Sequence, residues 1–146
     1  MSYKDPDIRR QLILEHYENP LNKVKQKQMK NYVCGRKDSP SCIDNITAFI
    51  RFDGDRIVDL KFTGIGCAIA TSSTDLMAQA LKNKTLDQAQ DIIKNYLAMI
   101  DGKKFNLKTL EALTIYDNLH KQLNRINCGK VGIWAIEAAI NKYQKK

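Results

Sequence analysis

The sequence predicts an α+β fold, in which a small antiparallel β-sheet comes first and helices pack on it. Residues 45–52 alternate with the pattern of a half-buried strand, and Asp53-Gly54 then offers a tight turn before a second extended stretch. Beyond residue 67 the apolar residues recur at helical spacing instead. The chain contains no internal repeat and no interdomain linker, so we expect one domain over residues 1–146.

A short amphipathic helix is expected near the N-terminus. Asp5 is suited to cap it, Pro6 fixes its first helical φ, and Asn19-Pro20 ends it. The lysine-rich residues 22–30 show no helical stripe, so we expect a mobile connection there. Residues 31–34 fit an edge strand that precedes the hairpin.

The predicted hairpin has one buried face. That face carries the apolar side chains of Ile46, Ala48, Ile50 and Phe52. Gly54 accepts a positive φ without steric cost, and residues 56–63 supply the returning strand.

Helices are expected to fill the second half of the chain. Thr85 and Gln88 form a capping box that opens one of them, and Asp101-Gly102 ends it. Trp134 is expected to pack, wholly or partly buried, on the last helix. The predicted helical segments are residues 68–81, 85–101, 107–113, 116–123 and 129–143.

Composition limits the classes of function. The chain carries 24 Lys and Arg against 16 Asp and Glu, and this charge of +8 favours an acidic partner. It has no nucleic-acid recognition motif, which disfavours nucleic acid as a partner. The N-terminus lacks the apolar core of a signal peptide and no apolar run is long enough to span a membrane, so we expect a cytoplasmic protein. In that reducing compartment its four cysteines would be free, metal-bound or catalytic rather than paired.

Three of the cysteines have neighbours that suit metal binding or sulfur chemistry. Cys67 and Cys128 are each predicted to be the first residue of a helix, where backbone N–H groups favour the thiolate. Cys42 precedes the hairpin, and Asp44 follows it as a harder fourth ligand. The chain has no paired C-x-x-C motif, so such a site would form only in the folded domain. Three sulfurs and one oxygen suit zinc, or an iron–sulfur cluster with a replaceable fourth position.

The fourth cysteine and both histidines are weaker candidates. Cys34 is expected to be a small buried apolar residue. His16 and His120 are expected to be surface or packing residues rather than ligands or bases. A thiol hydrolase that pairs Cys67 with His120 is disfavoured because no oxyanion-hole motif accompanies the pair.

Four segments of the chain, in order, resemble the U-type iron–sulfur cluster assembly proteins, which comprise the IscU scaffolds, the SufU proteins and the N-terminal domain of NifU. Residues 16–22 match H-Y-x-N-P-x-N of that family, and Cys42-Ile43-Asp44 matches C-G-D with Ile in place of Gly. Residues 64–73 match G-x-G-C-x-I-x-x-x-S, and Cys128 matches the third cysteine. The resemblance covers nearly the whole chain and implies the same α+β fold.

Three features make the SufU branch the more similar one. Asn127 stands where the IscU scaffolds carry a histidine, and residues 81–125 hold an insertion similar to that of SufU proteins. Arg125 also resembles SufU proteins.

The resemblance implies that Cys42, Asp44, Cys67 and Cys128 hold zinc and that Cys42 accepts persulfide sulfur from a pyridoxal-phosphate cysteine desulfurase. A downstream iron–sulfur scaffold or an apo-protein would then receive the sulfur or the cluster. In the scaffold alternative Cys42, Cys67 and Cys128, with Asp44 as a labile ligand, would hold a nascent iron–sulfur cluster. Whether the protein is a sulfurtransferase-like enzyme or a non-enzymatic scaffold stays open. An alternative from another class is a zinc-stabilised basic module that docks an acidic protein or RNA without sulfur chemistry.

Overall fold

The helices and strands follow the predicted order. The computed structural model describes residues 2–39 and 44–145. The helices are α1 (Pro6–Glu18), α2 (Ala68–Leu81), α3 (Leu86–Ile100), α4 (Leu107–Leu110) and α5 (Ile126–Gln144), and the strands are β1 (Val33–Asp38), β2 (Asn45–Asp53) and β3 (Arg56–Ile65). Three short 3₁₀ turns lie between α4 and α5, at Glu111–Tyr116, Leu119–Lys121 and Leu123–Arg125.

The three strands form one antiparallel sheet in the order β1-β2-β3. The predicted hairpin is confirmed, and Gly54 has a φ of 61° in its turn. The prediction of one buried face was wrong at Phe49, which lies opposite the core face and is only 1% exposed. Strand β1 is the predicted edge strand, although it begins at Val33 and continues to Asp38.

The first residues of the segment after α1 form backbone hydrogen bonds with the free edge of β3. The backbone N–H of Phe62 donates to the carbonyl of Asn22 at 3.0 Å, and the N–H of Val24 donates to the carbonyl of Phe62 at 2.8 Å. Asn22 is 1% exposed. The prediction of a mobile connection was therefore wrong for residues 22–24, because the open edge of β3 supplies backbone partners that the sequence does not reveal.

Helix α2 is the central element of the core, and it is buried on every side between Ala70 and Ala78. Its contact with α5 is close, since a Cβ on Gly132 would lie 1.7 Å from Thr74 Oγ1. Helix α5 packs equally closely on β1, where a Cβ on Gly35 would lie 2.3 Å from the carbonyl oxygen of Ala135. These approaches fix α5 against both α2 and β1.

A buried carboxylate fixes helix α1 and the residues after it. Asp75 of α2 is fully buried, and its Oδ2 lies 2.5 Å from His16 Nδ1. The same oxygen accepts from the Leu21 N–H, and Oδ1 accepts from the N–H and side-chain amide of Asn22. His16 thus packs in the interior as a bonded partner of Asp75.

Several predicted helix bounds needed correction. Helix α5 begins at Ile126 rather than Gly129, so Cys128 is its third residue, and Cys67 caps α2 from one position before its first residue. Glu111 has a φ of 48°, a value that ends α4 and leaves short 3₁₀ turns where longer helical pieces were expected. The predicted capping box of Thr85 and Gln88 is confirmed. Among the described helices none has the length and apolar character needed to cross a bilayer.

Candidate metal centre

Three potential metal ligands from three different elements meet at one end of the sheet. Asp44 lies directly before β2, Cys67 is the N-cap of α2, and Cys128 is in the first turn of α5. One ligand atom from each lies within 4.8 Å of the other two. Ligand atoms around a tetrahedral zinc ion with bonds of about 2.3 Å lie roughly 3.8 Å apart, so a small closure would suffice.

Asp44 has one bonded and one unbonded carboxylate oxygen. Its side chain is buried, and Oδ1 accepts a hydrogen bond from the Cys67 backbone N–H at 3.0 Å. Oδ2 is buried and has no hydrogen-bond partner within residues 2–39 and 44–145. A buried carboxylate oxygen without a donor is costly, and a bound cation would remove that cost. Together with the two thiols, the Asp44 carboxylate forms a donor set that fits zinc.

The cysteine of α2 is held by the glycine-rich turn before it. Gly64 has a φ of 129°, and a Cβ there would lie 2.0 Å from the carbonyl oxygen of Asn45. Thr71 Oγ1 donates to the Gly66 carbonyl at 3.1 Å and closes the turn. Cys67 Sγ accepts a hydrogen bond from the Ala70 N–H at 3.4 Å, which fixes the sulfur at the beginning of α2. The glycines are therefore needed so that the chain can pass from β3 into α2 at this site.

Two buried tyrosine hydroxyls form hydrogen bonds with the helices that carry Cys67 and Cys128. The Tyr116 hydroxyl is 2.6 Å from Ser72 Oγ on α2, and the Tyr96 hydroxyl donates to the Gly129 carbonyl on α5 at 2.8 Å. Burial raises the pKa of Tyr116 well above its usual value, and the neighbouring Tyr96 raises it further. Both phenols therefore stay protonated at working pH.

The remaining predicted residues lie elsewhere. Cys42 is outside the described residues. Cys34 is half-buried on β1 rather than fully buried, because β1 is an edge strand. His120 Nδ1 lies 2.8 Å from the Asp117 carbonyl oxygen, and His120 is not part of the group formed by Asp44, Cys67 and Cys128. Trp134 is partly exposed, as expected, with the ammonium groups of two lysines, Lys37 and Lys130, each 5.7 Å from its ring centre.

Sequence reasoning missed the buried polar residues that support this site. Asp75 is a charged residue in a helix of small and apolar side chains, and that isolation was a readable signal of a bonded internal carboxylate. Tyr96 gave no such signal, because an aromatic residue at helical spacing is typical of any core.

Comparison with known proteins agrees with this architecture. Residues 8–146 match the family described as the NifU-like N-terminal domain. The zinc-dependent sulfurtransferase SufU of Bacillus subtilis is 33% identical over 137 residues, which cover 91% of this chain and 89% of that protein. The iron–sulfur cluster assembly scaffold protein IscU of Streptococcus pyogenes is 28% identical over 128 residues, with 87% and 76% covered.

A solved structure has the same fold. It is the crystal structure of an iron–sulfur cluster assembly scaffold protein for the SUF system from Fervidobacterium islandicum, which superposes with a TM-score of 0.79 at 28% identity. The superposition covers 88% of this chain and 93% of that one. The chain therefore belongs to the NifU-like N-terminal domain family, the group of the IscU and SufU proteins.

Proposed function

We propose that this protein works in iron–sulfur cluster assembly as a zinc-dependent acceptor of persulfide sulfur from a cysteine desulfurase. The observation that carries the proposal is the meeting of Asp44, Cys67 and Cys128, with the buried Oδ2 of Asp44 lacking a hydrogen-bond donor among the described residues. The similarity to a zinc-dependent sulfurtransferase supports the same chemistry.

Each residue of the site has a separate role in this proposal. Asp44, Cys67, Cys128 and Cys42 would hold the zinc ion, with Cys42 placed two residues before Asp44 in the sequence. Bound zinc keeps thiols deprotonated and shields them from oxidation. The hydrogen bond from the Cys67 N–H to Asp44 Oδ1 fixes the carboxylate beside the cysteine of α2.

Sulfur transfer needs no external oxidant or reductant. The Cys42 thiolate attacks the outer sulfur of a persulfide on the desulfurase cysteine. The sulfur–sulfur bond of the donor breaks, its cysteine leaves as a thiolate, and a new sulfur–sulfur bond forms on Cys42. The proton of the transferred sulfur stays with it. A downstream scaffold or apo-protein would receive this sulfur.

Persulfide formation on Cys42 tests the proposal directly. Incubation with a cysteine desulfurase and cysteine should add the mass of one sulfur atom to the wild-type chain and stimulate sulfide release in the presence of a reductant. Cys42→Ala should abolish both while its far-UV circular dichroism is unchanged. Cys34→Ala is the matched control, because Cys34 lies on β1 outside the metal group and its loss should leave transfer intact. Transfer at the wild-type level in Cys42→Ala would overturn the assignment.

A cluster scaffold is the second candidate, favoured by the likeness to the IscU and SUF scaffold proteins. The same thiols and carboxylate suit an iron–sulfur cluster with one replaceable ligand. Metal analysis and an absorption spectrum of protein purified without oxygen separate the two candidates, since zinc is colourless and a cluster absorbs visible light. A zinc-loaded protein that neither accepts sulfur nor holds a cluster would instead support a basic docking module.

A further inference from the structure

One buried hydroxyl lies between the two helices that carry the cysteines of the metal group. Tyr96 of α3 is fully buried, and its hydroxyl donates at 2.8 Å to the carbonyl of Gly129, the residue after Cys128. Ser73 of α2 is close enough to the phenol to lower its pKa, although burial has the larger effect and raises it. Tyr96 thus contacts the Cys67 helix on one side and the Cys128 helix on the other.

At the beginning of α5, within the described part of the chain, the N-cap residue provides no side-chain cap. Helices α2 and α3 begin with capping side chains, whereas at α5 the N-cap residue, Arg125, makes no side-chain capping bond. The N–H groups in the first turn of any helix have no partners within the helix, so this turn frays more easily than the interior. Cys128 lies in that turn, so its position depends on contacts from outside the helix.

Packing around Gly129 shows how closely α5 is held there. A Cβ at Gly129 would lie 2.8 Å from Leu119 Cδ1 and 3.5 Å from the Tyr96 hydroxyl oxygen. The helix therefore rests directly on Tyr96 and on the preceding 3₁₀ turn. Burial raises the pKa of Tyr96, so its hydroxyl stays a hydrogen-bond donor throughout the working pH range.

We propose that Tyr96 is a positioning residue that holds Cys128 at metal-binding distance from Cys67 through the Gly129 carbonyl. The inference rests on the proposed metal site but names a residue outside it. The aromatic ring supplies packing, and the hydroxyl alone supplies the positioning. Removal of the hydroxyl should therefore loosen the first turn of α5 without opening the core.

Two Tyr→Phe variants separate this role from a general loss of stability. Tyr96→Phe deletes a hydroxyl-to-carbonyl bond at the metal end of α5. Tyr143→Phe deletes the same kind of bond at the far end, where the Tyr143 hydroxyl donates to the Gly54 carbonyl at 2.5 Å. Zinc affinity, measured by competition with a chromophoric chelator, should fall about three- to tenfold in Tyr96→Phe and stay unchanged in Tyr143→Phe.

Cobalt substitution and hydrogen exchange supply readouts that do not depend on sulfur transfer. The d–d and sulfur-to-cobalt absorption bands should shift in Tyr96→Phe alone, because the Cys128 ligand geometry changes. In the metal-free protein, amide exchange at residues 126–132 should accelerate in Tyr96→Phe and not in Tyr143→Phe.

Unchanged zinc affinity and cobalt spectrum in Tyr96→Phe would overturn the positioning role, as would equal losses in both variants. Failure of the wild-type chain to bind zinc or cobalt through its cysteines would count against the proposed metal site instead. The hydrogen-exchange comparison in the metal-free protein still tests the Tyr96 contact in that case.

Discussion

Asp75 and Asp44 are both buried carboxylates, but they differ in the hydrogen bonds that their oxygens accept. Both oxygens of Asp75 accept hydrogen bonds, from His16, Leu21 and Asn22. Asp44 is buried to a similar degree, yet its Oδ2 has no donor among the residues that the structure describes. Because a buried charge is retained only where a partner compensates it, Asp75 is a structural anchor and Asp44 is suited to a cation.

Asp44→Asn should weaken zinc binding at least about tenfold, because the substitution removes one carboxylate oxygen and the negative charge. The fold should be kept, because the amide oxygen can still accept the hydrogen bond from the Cys67 N–H. Chelator competition measures the affinity, and circular dichroism checks the fold. Asp38→Asn, an exposed carboxylate on β1, is the control and should bind zinc as the wild type does. Unchanged affinity in Asp44→Asn would show that Asp44 is not a ligand.

A third carboxylate, Asp59, should make the stability of the fold depend on pH. Burial alone would raise the pKa of Asp59, but the hydrogen bond from Tyr32 and the charges of Lys61 and Lys82 outweigh it and lower the pKa below 3.8. A carboxylate whose pKa is lower in the folded than in the unfolded state stabilises the fold above its unfolded pKa. That contribution is lost as the pH falls through the folded pKa.

The free energy of unfolding should therefore differ most between wild type and Asp59→Asn above about pH 5, and the difference should shrink below pH 3.8. Urea unfolding at a series of pH values measures it. Asp53→Asn, at an exposed position, provides the baseline. A difference that is constant from neutral to acid pH would contradict the role given to the Asp59 charge.

At the scale of elements, small residues at helix contacts set the distance between the two cysteine-bearing helices. Gly132 of α5 faces Thr74 of α2 with no space for a side chain. Gly132 lies within a predicted helix, where glycine is ordinarily unfavourable. The helix pattern does not show which residue of another helix lies opposite it, so the reason for this glycine could not be read from the sequence. The close contact is the compensation for that cost.

Gly132→Ala should destabilise the protein by about 1–3 kcal/mol, because the added methyl group forces α2 and α5 apart. It should also lower zinc affinity, since the same separation moves Cys67 away from Cys128. Gly54→Ala is a matched control: its φ of 61° makes the substitution cost about 1 kcal/mol, but nothing lies within 4 Å of the new Cβ. Equal zinc affinity in both variants would show that the helix contact does not set the site.

At the scale of the whole molecule, one ion pair links the N-terminal helix to the segment that leads into α5. Arg9 of α1 donates to both carboxylate oxygens of Asp117, at 2.7 and 3.2 Å, across 108 positions of sequence. Both side chains are partly buried, so solvent screens the pair less than an exposed one. The contact closes the chain around α2 and holds the 3₁₀ region in place ahead of Cys128.

A double-mutant cycle on Arg9→Ala and Asp117→Ala should give a coupling of about 1 kcal/mol in the free energy of unfolding. The coupling should decrease with added salt. The Arg36–Asp38 pair, which is exposed on β1, supplies the comparison and should couple by less than about half that value. Additive effects of the Arg9 and Asp117 substitutions would mean that the contact does not hold the two segments together.

Local signals in the chain were enough to predict the α+β class, the hairpin, the first helix and the capping box, because periodicity, turn residues and caps act over a few positions. The sequence also singled out Cys67, Cys128 and Asp44, whose role as ligands stays a prediction along with that of Cys42. The tertiary structure was needed to show that one ligand atom from each of these three residues lies close to the other two, because their spacing depends on how α2 and α5 pack on the sheet. The hydrogen-bond partners of Asp75 and Tyr96 were also visible only in the tertiary structure. Contacts between residues dozens of positions apart produce no periodic pattern in the sequence.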